Sequence, residues 1–168
     1  SAFLHADYSH LFFNLFPLWV FSGAILMQLG EFYYLIIYLL SLYFGNFFTL
    51  KQHKNEVFYS AVGASGAVTG IVYSSILLFP EMKLALLFFP IPLPSYVFGL
   101  CYILYSIYGM KKNSGNIGHS AHLGGAIAGM IITILIKPSI LIQQTWLVLL
   151  LITPFIILYY DKKNSLFR

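Results

Sequence analysis

The sequence predicts an all-α polytopic membrane protein with six transmembrane helices, and three observations predict it. Of its 168 residues, 60% are apolar and 8% charged, against about a quarter charged in an ordinary soluble domain. The nine Lys and Arg and five Asp and Glu are too few to cover a water-facing surface of this size. They also divide the chain into six windows without Asp, Glu, Lys or Arg, at residues 8–30, 32–50, 57–80, 84–110, 113–136 and 138–160. Each window is close to the ~20 residues a helix needs to cross the hydrocarbon layer. None shows the alternating polarity of a barrel strand.

The first segment runs from about Tyr8 to Leu29, with no basic region before it and several spans after it, so it is not a signal peptide. Gly30-Glu31 makes a tight turn into the second segment, which ends near Phe48 to Leu50 and is followed by the polar run 51–56. The third segment starts around Ser65 and stops at Pro80. Pro90, Pro92 and Pro94 predict an irregular lead-in over 84–94, with the fourth helix regular from about Ser95 to Tyr108. A loop over 111–118 precedes a fifth helix from about His119 to Ile136, and a sixth runs from about Ile142 to Tyr160 with a kink at Pro154. The opening Ser1-Ala2-Phe3 lacks an initiator Met, and the sequence reads as an N-terminally truncated fragment.

The net charge of +4 is gathered at loops and the C-terminal end. There it reads as topology signal and headgroup anchor in a lipid bilayer, with no nucleic-acid partner. Cys101 has no disulfide partner in the chain.

With alternating spans, the starts of segments one, three and five share a side of the membrane. His10 and Asn14, Ser65, and His119 and His122 all fall in those first turns, and polar groups at membrane depth mark a site or a water-filled cavity. Gly66 and Gly70 on segment three, and Ala121, Gly125 and Gly129 on segment five, have the four-residue spacing that lets helix backbones approach closely. If those faces pack together, Ser65 and His122 meet at one end of the contact as nucleophile and general base. The acids Asp7, Glu31, Glu56, Glu81 and Asp161 all lie outside the spans, so a dyad is the natural form. Gly63-Ala64-Ser65-Gly66 sets Ser65 at a loop-to-helix junction with free backbone N–H groups. His10 and Asn14, one turn apart, are candidate oxyanion donors.

At these residues the chain resembles the rhomboid family of intramembrane serine proteases. The elements are His5, His10 and Asn14 in the first segment, Gly63-Ala64-Ser65-Gly66 at the third, and Ala121-His122 with Gly125 and Gly129 in the fifth. The resemblance implies a rhomboid-like bundle with Ser65 as nucleophile, His122 as base, and His10, Asn14 and the Ser65 N–H around the oxyanion. Gly63, Gly66, Gly125, Gly129 and His5 support these. It implies cleavage of single-pass transmembrane substrates near the extracytoplasmic face without metal or cofactor, in a bacterial inner membrane. On that mapping the chain is one domain over 1–168: core helices two to six within about 1–137, and an additional helix at about 139–160.

Two positions depart from the pattern. Many bacterial members carry Glu where this chain has Leu26, and some an aromatic where it has Thr69. The family topology also places most Lys and Arg outside, against the positive-inside rule. Taken singly, Ser65 reads as an N-cap, His5 as a loop tie, His53 as solvated, and His119 as a cap or a water-facing group. The rival readings are a non-catalytic relative that binds membrane helices, and a bundle in which His10, His119 or His122 ligates haem or a metal. Substrate access is expected between segments four and one, with the 111–118 loop as a cap. His5, Asn14 and the 51–56 loop would help admit water.

Overall fold

The structure is a computed structural model that describes residues 4–86, 89–112 and 117–165. Its helices are α1 (Tyr8–Gln52), α2 (Ser65–Leu78), α3 (Ser95–Lys112), α4 (His119–Ile136), α5 (Ile140–Gln143) and α6 (Thr145–Ser165). Two strands, β1 (Lys83–Leu86) and β2 (Phe89–Pro94), lie between α2 and α3.

The first two expected segments are arms of α1, separated by one non-helical residue, Gly30, at φ 84 and ψ 173. Only glycine enters that region without a Cβ penalty, so the turn is a one-residue hinge. Ser22 and Tyr34, on opposite arms, are hydrogen-bonded at 3.0 Å across it. The fourth segment continues to Lys112, four residues past its expected end. The sixth starts later, at Thr145 after the short α5, and α6 runs through Pro154 unbroken. A helix in a bundle accommodates one Pro when neighbouring groups take over the freed carbonyl.

The expected irregular lead-in is an antiparallel hairpin, pairing Lys83 with Pro94, Leu84 with Leu93 and Leu86 with Phe89. A two-stranded ribbon is all edge, and a Pro whose missing N–H faces outward does not break it.

Burial is distributed as lipid requires. Many large apolar side chains, among them Phe13, Trp19, Met27 and Leu135, are exposed, while Ser41, Thr49, Ser74, Ser75, Ser106 and Thr133 are buried. In a bilayer the interior is the place for small and polar groups, whose hydrogen bonds link helices. Ser74 donates to Gly70 O and Gly129 O, Ser75 to Phe21 O at 2.7 Å, and Tyr73 to Gly99 O at 2.5 Å.

The centre of the bundle is α2. Its 14 residues span only about 21 Å at 1.5 Å per residue, and residues 66–77 are all buried. Being short and enclosed, it can begin below the level where longer neighbours end. Ser65, half-buried, stands at the start of this enclosed run.

Candidate active site

The α2–α4 seam is built on the expected glycines. A Cβ on Gly125 would overlap the Gly66 carbonyl and stand 2.9 Å from Gly66 Cα, and one on Gly129 would stand 2.6 Å from Gly70 Cα. One end of this contact carries the chemistry: a Cβ on Gly66 would lie 3.3 Å from the carbonyl oxygen of Ala121. Gly66 follows Ser65 and Ala121 precedes His122. Nucleophile and base candidates are thus each one residue from a direct backbone contact.

A third backbone enters the seam unforeseen. Gly45, on the second arm of α1, would with a Cβ stand 2.8 Å from Ala121 O, 3.3 Å from Gly66 Cα and 3.5 Å from Gly125 N. Ser41 and Thr49 flank it one turn away on each side and are buried. The small-residue stripe Ser41, Gly45 and Thr49 was the signal for it.

The loop into α2 fixes the entrance. Gly63 has φ 108, and a Cβ there would lie 2.7 Å from His10 Nε2. Ala64 caps α2, so Ser65 is its first helical residue rather than the N-cap, and its N–H is among those no helical carbonyl reaches. On α1, Asp7 caps the helix by accepting from Ser9 Oγ at 2.5 Å and His10 N at 2.8 Å. These two donors, Ser9 first, hold the exposed carboxyl below its usual range. The Ala6 N–H donates to His10 Nδ1 at 3.4 Å, which leaves the His10 proton on Nε2, the atom beside Gly63. Asn14 is buried and donates from Nδ2 to His10 O at 2.8 Å, while its buried Oδ1 has no partner among the described residues. The His5 ring packs edge-on against His10 at 5.1 Å. Gly63, two residues before α2, therefore meets His10, with Asn14 one turn further along α1 and His5 against the His10 ring.

His122 is buried on α4. Its Nδ1 lies 2.9 Å from the hydroxyl of Tyr102 on α3, and the two rings sit 5.6 Å apart. This answers the departure at Thr69: the aromatic beside the imidazole comes from α3, not from the helix carrying Ser65. Thr69 donates to Ser65 O at 2.7 Å. Among the described residues Ser65 Oγ makes no hydrogen bond, and catalytic pairs are often open before substrate arrives.

Two histidines differ from expectation. His119 is neither a cap nor water-facing: Gly118 is the cap position of α4, and the buried His119 ring fills the space over Gly109 and meets Tyr105 edge-on at 5.3 Å. His53 is not free in solvent. It stacks on Tyr59 at 3.7 Å, lies 2.9 Å from Glu56, and points Nε2 at Ser120 Oγ, 3.5 Å away, which itself contacts Thr49 Oγ1 at 3.1 Å. The start of α4 packs against the end of α1, which holds His53, and against α3, which holds His119, so groups read singly as loop residues are held between helices. Residues 113–116 of the expected cap loop lie outside the described residues.

Comparison with known proteins identifies the class. The family profile described as Rhomboid domain matches residues 1–139, and the chain belongs to the rhomboid family. It is a membrane protein, a helical bundle of the rhomboid type. It is similar to Rhomboid protein 1, mitochondrial, of Saccharomyces cerevisiae, 31% identical over 134 residues, which covers 78% of this chain and 39% of that protein. RHOMBOID-like protein 12, mitochondrial, of Arabidopsis thaliana is 34% identical over 146 residues, 78% of this chain and 43% of the relative. Presenilin-associated rhomboid-like protein, mitochondrial, of Homo sapiens is 31% identical over 136 residues, 77% and 35% respectively. The chain thus spans about two fifths of the length of these relatives. No solved structure matches.

Proposed function

We propose that this chain is an intramembrane serine endopeptidase that cleaves transmembrane-helix substrates near the membrane surface with Ser65 and His122. The observation that supports this best is the seam itself, which brings Gly66 and Ala121, the neighbours of the two residues, into backbone contact.

In this reading Ser65 Oγ attacks the scissile carbonyl carbon and its proton passes to His122 Nε2, the ring nitrogen that Tyr102 leaves free. The tetrahedral oxyanion receives the Ser65 N–H, the His10 Nε2–H and an Asn14 amide hydrogen, all uncharged donors in a desolvated site. His122 then gives its proton to the leaving amine, and water hydrolyses the acyl-enzyme by the same steps. No metal or cofactor takes part. The substrates are single-pass membrane proteins, entering between α3 and the first arm of α1.

The retention of Ser65 together with His122 favours this over a non-catalytic helix-binding relative. Against a metal-binding bundle, the described residues bring no three His, Cys, Asp or Glu together in a ligating group. For location, a bacterial inner membrane with the site on its extracytoplasmic face is the reading drawn from the sequence. The mitochondrial names of the relatives favour a mitochondrial membrane as the second. The test is labelling of the membrane-embedded protein by a fluorophosphonate: the parent is labelled and Ser65→Ala is not. Equal labelling of the two removes Ser65 as nucleophile.

A further inference from the structure

Neither residue of the dyad lies on α6, and that helix packs chiefly against α3, one wall of the proposed entrance. Three contacts mark the pairing from end to end. At the start of α3 the Tyr96 ring meets Trp146 edge-on at 5.1 Å. Close by, a Cβ on Gly99 would stand 3.7 Å from Leu151. At the far end Lys111 Nζ donates to Asp161 Oδ2, with both side chains about half exposed.

These contacts fix the side of α3 on which α6 stands. Phe98 stacks on Phe21 of the first arm of α1 at 6.3 Å, and two residues separate it from Tyr96, about 200° around the helix. Lys111 follows Tyr96 by four turns and only about 60°, so it shares the Tyr96 side. The first arm and α6 therefore flank α3 on opposite sides. A substrate that parts α3 from the first arm drives α3 towards α6.

The two ends of α3 are held differently. At its start, Ser95 Oγ donates to Pro80 O at 3.0 Å, Ser95 N to Met82 O at 2.8 Å and Tyr73 Oη to Gly99 O at 2.5 Å. Beside them the start of α6 is anchored by the buried Leu147, Val148 and Leu151. From Gly99 the helix runs about 18 Å to Lys111. Over that length it is tied by Tyr102 to His122 at 2.9 Å, by Tyr105 and Gly109 packed on His119, and by the ion pair with Asp161. Ser95 to Gly99 is thus the pivot, and the end beside the dyad is the part that swings.

Resting on the entrance proposed above, we propose that α6 is the backstop of a swinging α3, and that Lys111 and Asp161 form the tie that limits how far the entrance opens to a transmembrane substrate. The step it governs is substrate entry, not the chemistry at Ser65. An exposed ion pair is weak, which suits a tie that parts and re-forms in every turnover.

Two probes separate entry from chemistry: a single-pass model substrate passes between α3 and the first arm, whereas a small fluorophosphonate reaches Ser65 from water. In lipid vesicles, Asp161→Asn should raise kcat/KM for the transmembrane substrate about two- to fivefold, the range of one exposed ion pair, with labelling at the parent rate. Exchanging the charges, Lys111→Asp with Asp161→Lys, should restore the parent value. In a Cys101→Ser background, oxidising the pair Lys111→Cys and Asp161→Cys to a disulfide should lower transmembrane cleavage at least about tenfold and leave labelling unchanged. Reduction should restore cleavage.

If α6 served only to support the fold, Asp161→Asn would lower cleavage, labelling and melting temperature together. That result, or an oxidised pair that cleaves like its reduced form, overturns the inference and leaves the dyad standing. Failure of the two thiols to join, read by thiol titration, shows that the helix ends do not meet and overturns it as well. A parent protein that the fluorophosphonate does not label at Ser65 removes the dyad, and the inference with it.

Discussion

Gly63 and His10 are in contact across the mouth of the site, with room for a Cβ at Gly63 only 2.7 Å from His10 Nε2. The glycine is required twice, by that contact and by its φ of 108. Gly63→Ala should strain the turn by about 1–2 kcal/mol and push His10 away from the oxyanion position. The expected result is a fall in substrate cleavage approaching the 10²- to 10³-fold of a lost oxyanion donor, with a much smaller change in melting temperature. Parent-like cleavage would place His10 outside the reaction.

The seam should be intolerant where backbone meets backbone. A Cβ at Gly125 would stand 2.7 Å from the Gly66 carbonyl carbon, whereas one at Gly23 would meet nothing within 4 Å. Gly125→Ala should cost about 1–3 kcal/mol or more. Gly23→Ala should be neutral or stabilising by up to about 1 kcal/mol, since helix-interior glycine is itself unfavourable. Unfolding in mixed detergent micelles compares the two.

These positions also show what the sequence makes legible and what it hides. The limits of α2 and α4 follow from Ser65, Pro80, His119 and Lys137, because charge and proline cannot sit in a lipid-spanning helix without consequence. Gly66, Gly70, Gly125 and Gly129 announce their seam by spacing alone. Gly45 does not, because its stripe partners are Ser41 and Thr49 rather than glycines. The 83–94 hairpin is hidden because clustered prolines signal only that a helix is absent. Tyr102 is hidden for a different reason: in a chain with 13 tyrosines, only the packing of α3 on α4 decides which hydroxyl reaches His122.

The buried contact of Ser120 with Thr49 and His53 joins the end of α1 to the start of α4. Ser120→Ala should lower stability by about 0.5–1.5 kcal/mol, the net worth of a typical hydrogen bond. Thr49 keeps its bond to Gly45 O at 3.0 Å. A loss well beyond that range in chemical unfolding would mean that the His53 stack depends on Ser120 as well.

Asp7 gives the start of α1 a pH dependence. Its carboxyl is held below the usual value by the Ser9 hydroxyl and the His10 N–H, so its capping contribution is present above the ordinary carboxylate range and disappears as pH falls through the lowered value. Amide exchange at His10, corrected for the intrinsic rate, should be slow near neutral pH and accelerate in acid. In Asp7→Ala it should be fast throughout, and unchanged exchange in that variant would show that Asp7 does not secure the turn.

The central claim is that Ser65 and His122 together cut a transmembrane segment. The direct measurement is cleavage of a model single-pass substrate by the full-length protein in lipid vesicles, compared with Ser65→Ala and His122→Ala. The account predicts that the parent cleaves and that neither variant does, while both keep the parent's melting temperature to within a few degrees. Undiminished cleavage by either variant would contradict it.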